Sequence, residues 1–217
     1  LAIGTTSYFI HLILISGFLN FLPYGKHFHI ITFIPNVFFS KQEPGGAIDS
    51  INLEDETATS FGVNKIEDFD WKQFLDFYSC TECGRCMAEC PATATGKQLN
   101  PKQLIIDLRD HLYSVAGDLG KDTGARPSLA GDVIKPDVFW ACTTCKACET
   151  ACPIAIEHVD KIIELRRHKV LMEGDFPAQA QTAMRNIETN SNPWGFSHTD
   201  RAKWADALGV PILAENA

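Results

Sequence analysis

The sequence predicts a mainly α-helical protein: an apolar helix long enough to cross a membrane, followed by a helical body. Three observations carry that prediction. Residues 2–22 hold no charged side chain, and the first charge is Lys26. All eight cysteines fall in two copies of one run: Cys80, Cys83, Cys86 and Cys90 before Pro91, then Cys142, Cys145, Cys148 and Cys152 before Pro153. Around these runs, apolar residues recur at helical spacing, with cap and stop residues at the ends.

The first region is residues 1–40. Ala2 to Leu22 matches the ~20 residues that span a ~30 Å hydrocarbon core. Gly4, Gly17 and Asn20 suit a membrane helix packed on others. No basic leader or small-residue cleavage site marks a signal peptide, and the chain begins with Leu1. The expectation is the last membrane helix of a longer segment; a buried core helix is the alternative. After Pro23 come Tyr24-Gly25-Lys26-His27-Phe28-His29 and an aromatic run, Ile30 to Phe39, broken by Pro35. That run is too short to span again and predicts an interfacial segment. Lys26 and Lys41 put this end on the cytoplasmic side by the positive-inside tendency.

Residues 41–69 form an acidic linker with Pro44, Gly45 and Gly46, expected to be irregular and draped over the body. Residues 41–80 carry nine acids against three lysines. The whole chain has a formal charge of −8, which argues against nucleic acid as a partner.

The body, residues 70–190, opens with Trp71, Phe74, Leu75 and Tyr78 at i, i+3, i+4 and i+7, the pattern of a short amphipathic helix. Asn100-Pro101 is an N-cap and N1 pair. It predicts a helix with Leu104, Ile105, Leu108 and Leu112 inward. Residues 116–135 are Gly-rich and read as a loop, and Asp137 to Trp140 lead into the second run. Glu157 to Glu173 predict a helix with Val159, Ile162, Ile163 and Val170 inward, stopped by Gly174. Ala178 to about Glu188 predicts another. Residues 191–217 read as a connector: a turn at Asn192-Pro193-Trp194-Gly195, then a short helix from Asp200 to Leu208.

Both cysteine runs read C-x2-C-x2-C-x3-C-P, the bacterial ferredoxin pattern for [4Fe–4S] clusters. Four disulfides suit small secreted scaffolds with irregular spacing. Zinc knuckles join two separated pairs rather than four close cysteines ending in Pro. Iron–sulfur is therefore the favoured reading, and it implies a reducing, cytoplasm-side compartment. In two-cluster ferredoxins the fourth cysteine ligates the other cube. One cluster is then expected on Cys80, Cys83, Cys86 and Cys152, the other on Cys142, Cys145, Cys148 and Cys90. The 51 residues between Cys90 and Cys142 include a whole helix, unlike the short hairpins of small ferredoxins. Arg85 and Lys146 could raise the potential of their clusters or meet an acidic partner, against the plainer reading of solvated charges. Glu82 and Glu149 receive no role.

His11 and His29 stand 18 residues apart. In a regular helix they would face one way, ~27 Å apart, and so could serve two separate haems but not one iron. His27 is the competing candidate beside His29. His111, His158, His168 and His198 read as surface or satisfied core histidines.

His11 to His29, with the Pro23-Tyr24-Gly25-Lys26-His27-Phe28-His29 turn, resembles the last haem-binding helix of the respiratory nitrate reductase gamma-type cytochrome b domain. The resemblance implies that His11 and His29 are axial ligands of two b haems. Their partner ligands would lie on an earlier helix. The rest resembles membrane-bound heterodisulfide-reductase-like oxidoreductases. It does so through Phe69-Asp70-Trp71-Lys72-Gln73, the sequences around Cys80 to Cys86 and Cys142 to Cys145, and Asn192-Pro193-Trp194-Gly195. This implies a quinone-linked oxidoreductase in the cytoplasmic membrane, with its iron–sulfur domain on the cytoplasmic side. Its implied partners are the quinone pool and a soluble donor such as electron-transfer flavoprotein or a thiol/disulfide substrate. Such proteins continue into cysteine-rich domains, so the chain is expected to be the middle of a longer protein. Two other functions compete: a membrane-tethered ferredoxin without haem, and a soluble dicluster subunit of a fumarate-reductase-like complex.

Overall fold

The computed structural model describes residues 2–42, 47–121 and 126–210. Pro44, Gly45 and Gly46 of the linker, residues 122–125 of the Gly-rich loop and residues 211–217 of the connector lie outside them. The chain clusters into two compact units, 1–173 and 174–217. The helix after Pro177 falls in the second unit. Among the described residues there is no strand, only an isolated bridge between Ala130 and Ile134.

Helix α1 (Ala2–Phe21) is long and apolar enough to cross a membrane. Its large side chains are exposed rather than packed in a core, which removes the buried-core alternative for this body. The helix does not continue regularly to His29. Single 3-10 turns at Leu22–Tyr24 and Lys26–Phe28 flank Gly25, which is extended at φ −117° and ψ 179°. The five-turn argument for a shared face of His11 and His29 therefore fails, because Pro23 and Gly25 interrupt the helical repeat.

The segment expected to be interfacial forms helix α2 (His29–Phe38), docked on the body despite Pro35. Its buried residues are polar: Thr32 and Asn36, one turn apart. Helix α3 (Trp71–Ser79) is N-capped by Asp70, which accepts from Gln73 while Gln73 reaches back to Asp70. Its deepest face is not the predicted apolar stripe. Lys72, Gln73, Asp76 and Phe77 are buried, whereas Trp71 is 62 % exposed. The stripe serves α2 instead: the Phe39–Trp71 and Phe28–Tyr78 rings meet edge-on at 5.1 and 5.4 Å.

Helices α4 (Arg85–Ala88) and α5 (Pro91–Ala94) are single turns within and after the first cysteine run. Helix α6 (Pro101–Val115) is capped as expected, with Asn100 accepting from the Gln103 N–H, and buries Leu104, Ile105, Leu108 and Leu112. The Gly-rich stretch is not a surface loop throughout. Leu129, Ala130 and Ile134 enter the core, because the tight turn bonds its own backbone and Asn64 accepts the Leu129 N–H. Helix α7 (Pro136–Trp140) precedes the second run, α8 (Ala147–Thr150) lies within it, and α9 (His158–Leu171) follows. Val159 and Ile162 point inward on α9 as predicted. Ile163 is only half-buried and Val170 is exposed, while Leu165 fills the core position instead. The one-turn helices of the two runs, α4 and α8, pack on each other, and α8 packs on α9.

The second unit holds helix α10 (Ala178–Asn190), the turn at Asn192, a 3-10 turn at His198–Ala202 and helix α11 (Lys203–Asp206). Asn192 closes its turn by accepting from the Phe196 N–H.

Candidate iron–sulfur centres and the membrane turn

The two cysteine runs fold alike. Glu82 and Thr144, each two residues after the first cysteine, have φ 56°. Gly84 and Lys146, two residues further on, have φ 81° and 59°. Positive φ is costly for any residue but Gly, and most of all for a β-branched one such as Thr144. The same strain at the same places in both runs marks a wrapped loop. Backbone N–H groups turn toward sulfur: Thr144 N–H donates to Cys142 Sγ at 3.3 Å, and Ile156 N–H to Cys152 Sγ at 3.4 Å.

The thiols sort into two cavities. One is lined by Cys80, Cys83, Cys86 and Cys152, with Lys102 and His158. The other is lined by Cys142, Cys145, Cys148 and Cys90. Each cavity thus takes three cysteines from one run and the fourth from the other. Cys83 and Cys145 are exposed at the rims, while Cys86 and Cys148 are buried on α4 and α8. Burial, then the neighbouring Cys80 and Cys152, push the Cys86 thiol up to about 11. Burial, then Glu149, push Cys148 above the ordinary thiol range. Thiols so placed are held protonated until a cation claims them, and loading would release their protons. Four soft thiolates around each small cavity, with backbone N–H groups aimed at them, are the donor set a [4Fe–4S] cube needs.

Residues that sequence reasoning missed hold these loops. Arg166 on α9 donates to the carbonyls of Phe139 (3.0 and 2.6 Å) and Cys142 (2.6 Å), and its guanidinium lies 5.1 Å from the Trp140 ring. Glu149 accepts the Val159 N–H at the start of α9 (2.8 Å), so it does have a structural task. Lys146 donates to the carbonyl of Ala47 and lies 3.5 Å from Glu149, so it is not simply a solvated charge. Arg85 is exposed. Glu82 pairs with Arg109 at 2.8 Å. Near the first run, Asp76 is buried between Lys161 and Lys72 and accepts the Glu157 N–H. Burial pushes the Asp76 carboxyl up, but the two lysines outweigh it and hold it below the usual carboxylate range.

Helix α2 is tied to the first cavity. Thr32 on α2 donates to the Tyr78 carbonyl (3.2 Å), two residues before Cys80. Asn36 donates to the Ile154 carbonyl (2.8 Å), two residues after Cys152. His11 is exposed on α1, away from both cysteine cavities. His29 starts α2, half-buried, with the His27 ring stacked beside it at 6.5 Å. Of the other histidines, His158 and His168 are buried, and His158 Nδ1 meets the Ile156 carbonyl at 3.0 Å.

Comparison with known proteins places a dicluster domain over both cysteine runs. A family profile described as "4Fe-4S dicluster domain" matches residues 79–156. The chain is 43 % identical to the probable iron-sulfur-binding oxidoreductase FadF of Bacillus subtilis, over 92 % of the chain and 33 % of that protein. It is 40 % identical to the EtfAB:quinone oxidoreductase of Syntrophomonas wolfei, over 92 % of the chain and 31 % of that protein. It is 38 % identical to a probable membrane-anchored ferredoxin of Chromohalobacter salexigens, over 77 % of the chain and 27 % of that protein. The chain therefore spans about a third of the length of these curated relatives. It carries a helical [4Fe–4S] dicluster domain behind an apolar helix, and its relatives include a probable iron-sulfur-binding oxidoreductase and a probable membrane-anchored ferredoxin.

Proposed function

We propose that this chain is the electron-transferring segment of a membrane-bound, quinone-linked oxidoreductase. In this reading it works between the quinone pool and a soluble donor such as electron-transfer flavoprotein, from the cytoplasmic face of the membrane. The observation that carries the reading is the sorting of eight cysteines into two crossed sets around two adjacent cavities. Cys80, Cys83, Cys86 and Cys152 would hold one [4Fe–4S] cluster and Cys142, Cys145, Cys148 and Cys90 the other. Such clusters supply one-electron chemistry at iron. The chain's own part is to shield them: the core around Phe77, Leu99, Leu104 and Phe139 limits water, and turned N–H groups favour the more negative reduced state.

For the membrane part, His11 and His29 are proposed as axial ligands of two b haems completed by other helices. The apolar exposed faces of α1 leave room for such neighbours. The name of the Syntrophomonas relative supports the quinone and flavoprotein partners. A thiol/disulfide partner has the support of relatives named as components of heterodisulfide reductases, such as that of a ferredoxin:CoB-CoM heterodisulfide reductase from Methanosarcina mazei, 35 % identical over 43 % of the chain and 46 % of that protein.

A reduced-minus-oxidised optical spectrum of the full-length protein in detergent tests the reading. A sharp b-type haem band that falls in His11→Ala and in His29→Ala is expected. Crossed ligation is tested by EPR: Cys90→Ser should alter the signal that Cys145→Ser alters, and Cys152→Ser the signal that Cys83→Ser alters. Iron–sulfur bleaching with no haem band would leave the second reading, a membrane-anchored ferredoxin, which the Chromohalobacter relative's name favours.

A further inference from the structure

A cavity of about 950 Å³ lies where the membrane turn meets the first cysteine run. That volume is toward the upper end of the ~300–1,000 Å³ typical of cofactor and small-molecule sites. Its walls come from separate elements: Phe21, Tyr24 and Phe28 with His27 and His29 from the turn, Tyr78 from α3, Cys80 and Glu82 from the run, and Arg109 and Tyr113 from α6.

We infer that this cavity seats the carboxylate-bearing edge of the haem at His29, with Arg109 as its positioning cation, and that the cluster at Cys80 is the membrane-facing one. The inference rests on the haem assignment proposed above. Three features carry it.

First, the wall is chemically divided. Its turn side is aromatic and suits the face of a macrocycle, while its α6 side carries a guanidinium and a phenol. Arg109 is only 18 % exposed and is held in place by Glu82 at 2.8 Å and Asp110 at 3.5 Å. A guanidinium has five N–H donors in a fixed fork suited to carboxylates, so it can serve Glu82 and a propionate together. The Tyr78 and Tyr113 rings lie 5.8 Å apart beside it and add hydroxyl donors.

Second, Cys80 is the one cysteine among the residues lining this cavity, and Cys142, Cys145 and Cys148 line a different one with Cys90. The two cavities on either side of Cys80 therefore share a wall.

Third, α2 is hydrogen-bonded to the backbone on both flanks of the first cavity, through Thr32 to Tyr78 and Asn36 to Ile154. These two bonds hold α2 at a fixed position beside the first cavity.

The test uses the full-length protein in detergent, with wild type, His29→Ala, Arg109→Gln, Arg109→Lys and Tyr113→Phe. Haem content, the midpoint potential of each b haem and the EPR of both clusters are read. Arg109→Gln is expected to keep haem and iron content but to lower the midpoint of the haem that His29→Ala removes. Removing a positive charge disfavours the added electron. The other haem should not move, and Arg109→Lys should restore most of the shift. Tyr113→Phe should shift the same haem by less, and it decides the matter if Arg109→Gln fails to fold. Oxidised haem at His29 should speed relaxation of the cluster altered by Cys83→Ser. Wild type without haem sinks the functional reading itself. Haem present with both midpoints unmoved, or relaxation that follows the Cys145 cluster, overturns this inference alone. Unmoved midpoints with lost binding of a quinone analogue would assign the cavity to a quinone head group and overturn it too.

Discussion

Replacing Asp76 by Asn keeps the side chain's shape and removes one buried charge. The Asp76 and Lys161 side chains are both 0 % exposed, and Lys72 is 9 % exposed. Taking away one partner of a buried ion pair costs about 3–5 kcal/mol, because the other charge stays desolvated. Here the lower end applies. Lys161 keeps the Glu157 carbonyl at 3.1 Å and the Phe77 ring face at 5.6 Å. Lys72 keeps the Glu157 carboxylate at 3.5 Å. For a unit of this size ~1 kcal/mol moves a melting midpoint by about 2–4 °C, so ~3 kcal/mol predicts a fall of about 6–12 °C. Circular dichroism of the iron-loaded protein, melted anaerobically in detergent, reads it. The pH dependence has a defined sign. A carboxyl held below its ordinary pKa contributes stability that is full above that ordinary value and lost as pH falls through the lowered one. The gap between wild type and variant should therefore stay constant from about pH 8 to pH 6 and close only in acid. Asp76→Leu with Lys161→Met removes both charges, and replacing a buried pair with apolar groups is often neutral. An Asp76→Asn midpoint within about 1 °C of wild type, or a double variant as damaged as the single one, would refute the reasoning.

Gly62→Ala should be far worse than Gly96→Ala. A Cβ at Gly62 (φ +71°) would sit 2.3 Å from the His168 backbone nitrogen and 2.5 Å from the Glu164 carbonyl oxygen, whereas at Gly96 (φ +74°) it meets nothing within 4 Å. Gly96→Ala then costs only the positive-φ term of about 1–2 kcal/mol, and paired melting curves separate the two. Arg166→Ala strands the carbonyls of Phe139 and Cys142 and should cost about 1–3 kcal/mol, with iron lost first from the second cavity, read by EPR and iron assay. Asn36→Leu unpairs the Ile154 carbonyl at a cost of about 1–3 kcal/mol and should raise hydrogen exchange in α2 before it does so in α6.

What could be read early was local. The Asn100-Pro101 cap, the inward face of α6 and the length of α1 depend on residues within a few positions of each other. The cysteine spacing is local too, and by itself it pointed to two crossed sets. What could not be read depends on partners far along the chain. Asp76 and Lys161 are 85 residues apart, Asn36 and Ile154 are 118, and Arg166 reaches back 27 to Phe139. The stripe on α3 misled for the same reason. Its polar face is buried because the distant Lys161, together with Lys72 of the same helix, neutralises Asp76, and no periodicity within nine residues reports that. The regular helix from His11 to His29 failed at Pro23 and Gly25, where two short turns re-aim the chain.

The sequence by itself determined the chemistry of the ligands and the helical character of the body, since thiol spacing and side-chain periodicity act over a few residues. Only the tertiary structure decided which cysteines share a cavity wall with the membrane turn. That depends on α2 docking its two buried polar residues against backbone carbonyls near Cys80 and Cys152. A buried hydrogen bond forms only when the fold brings its acceptor within reach, and for Thr32 and Asn36 those acceptors are 46 and 118 residues away.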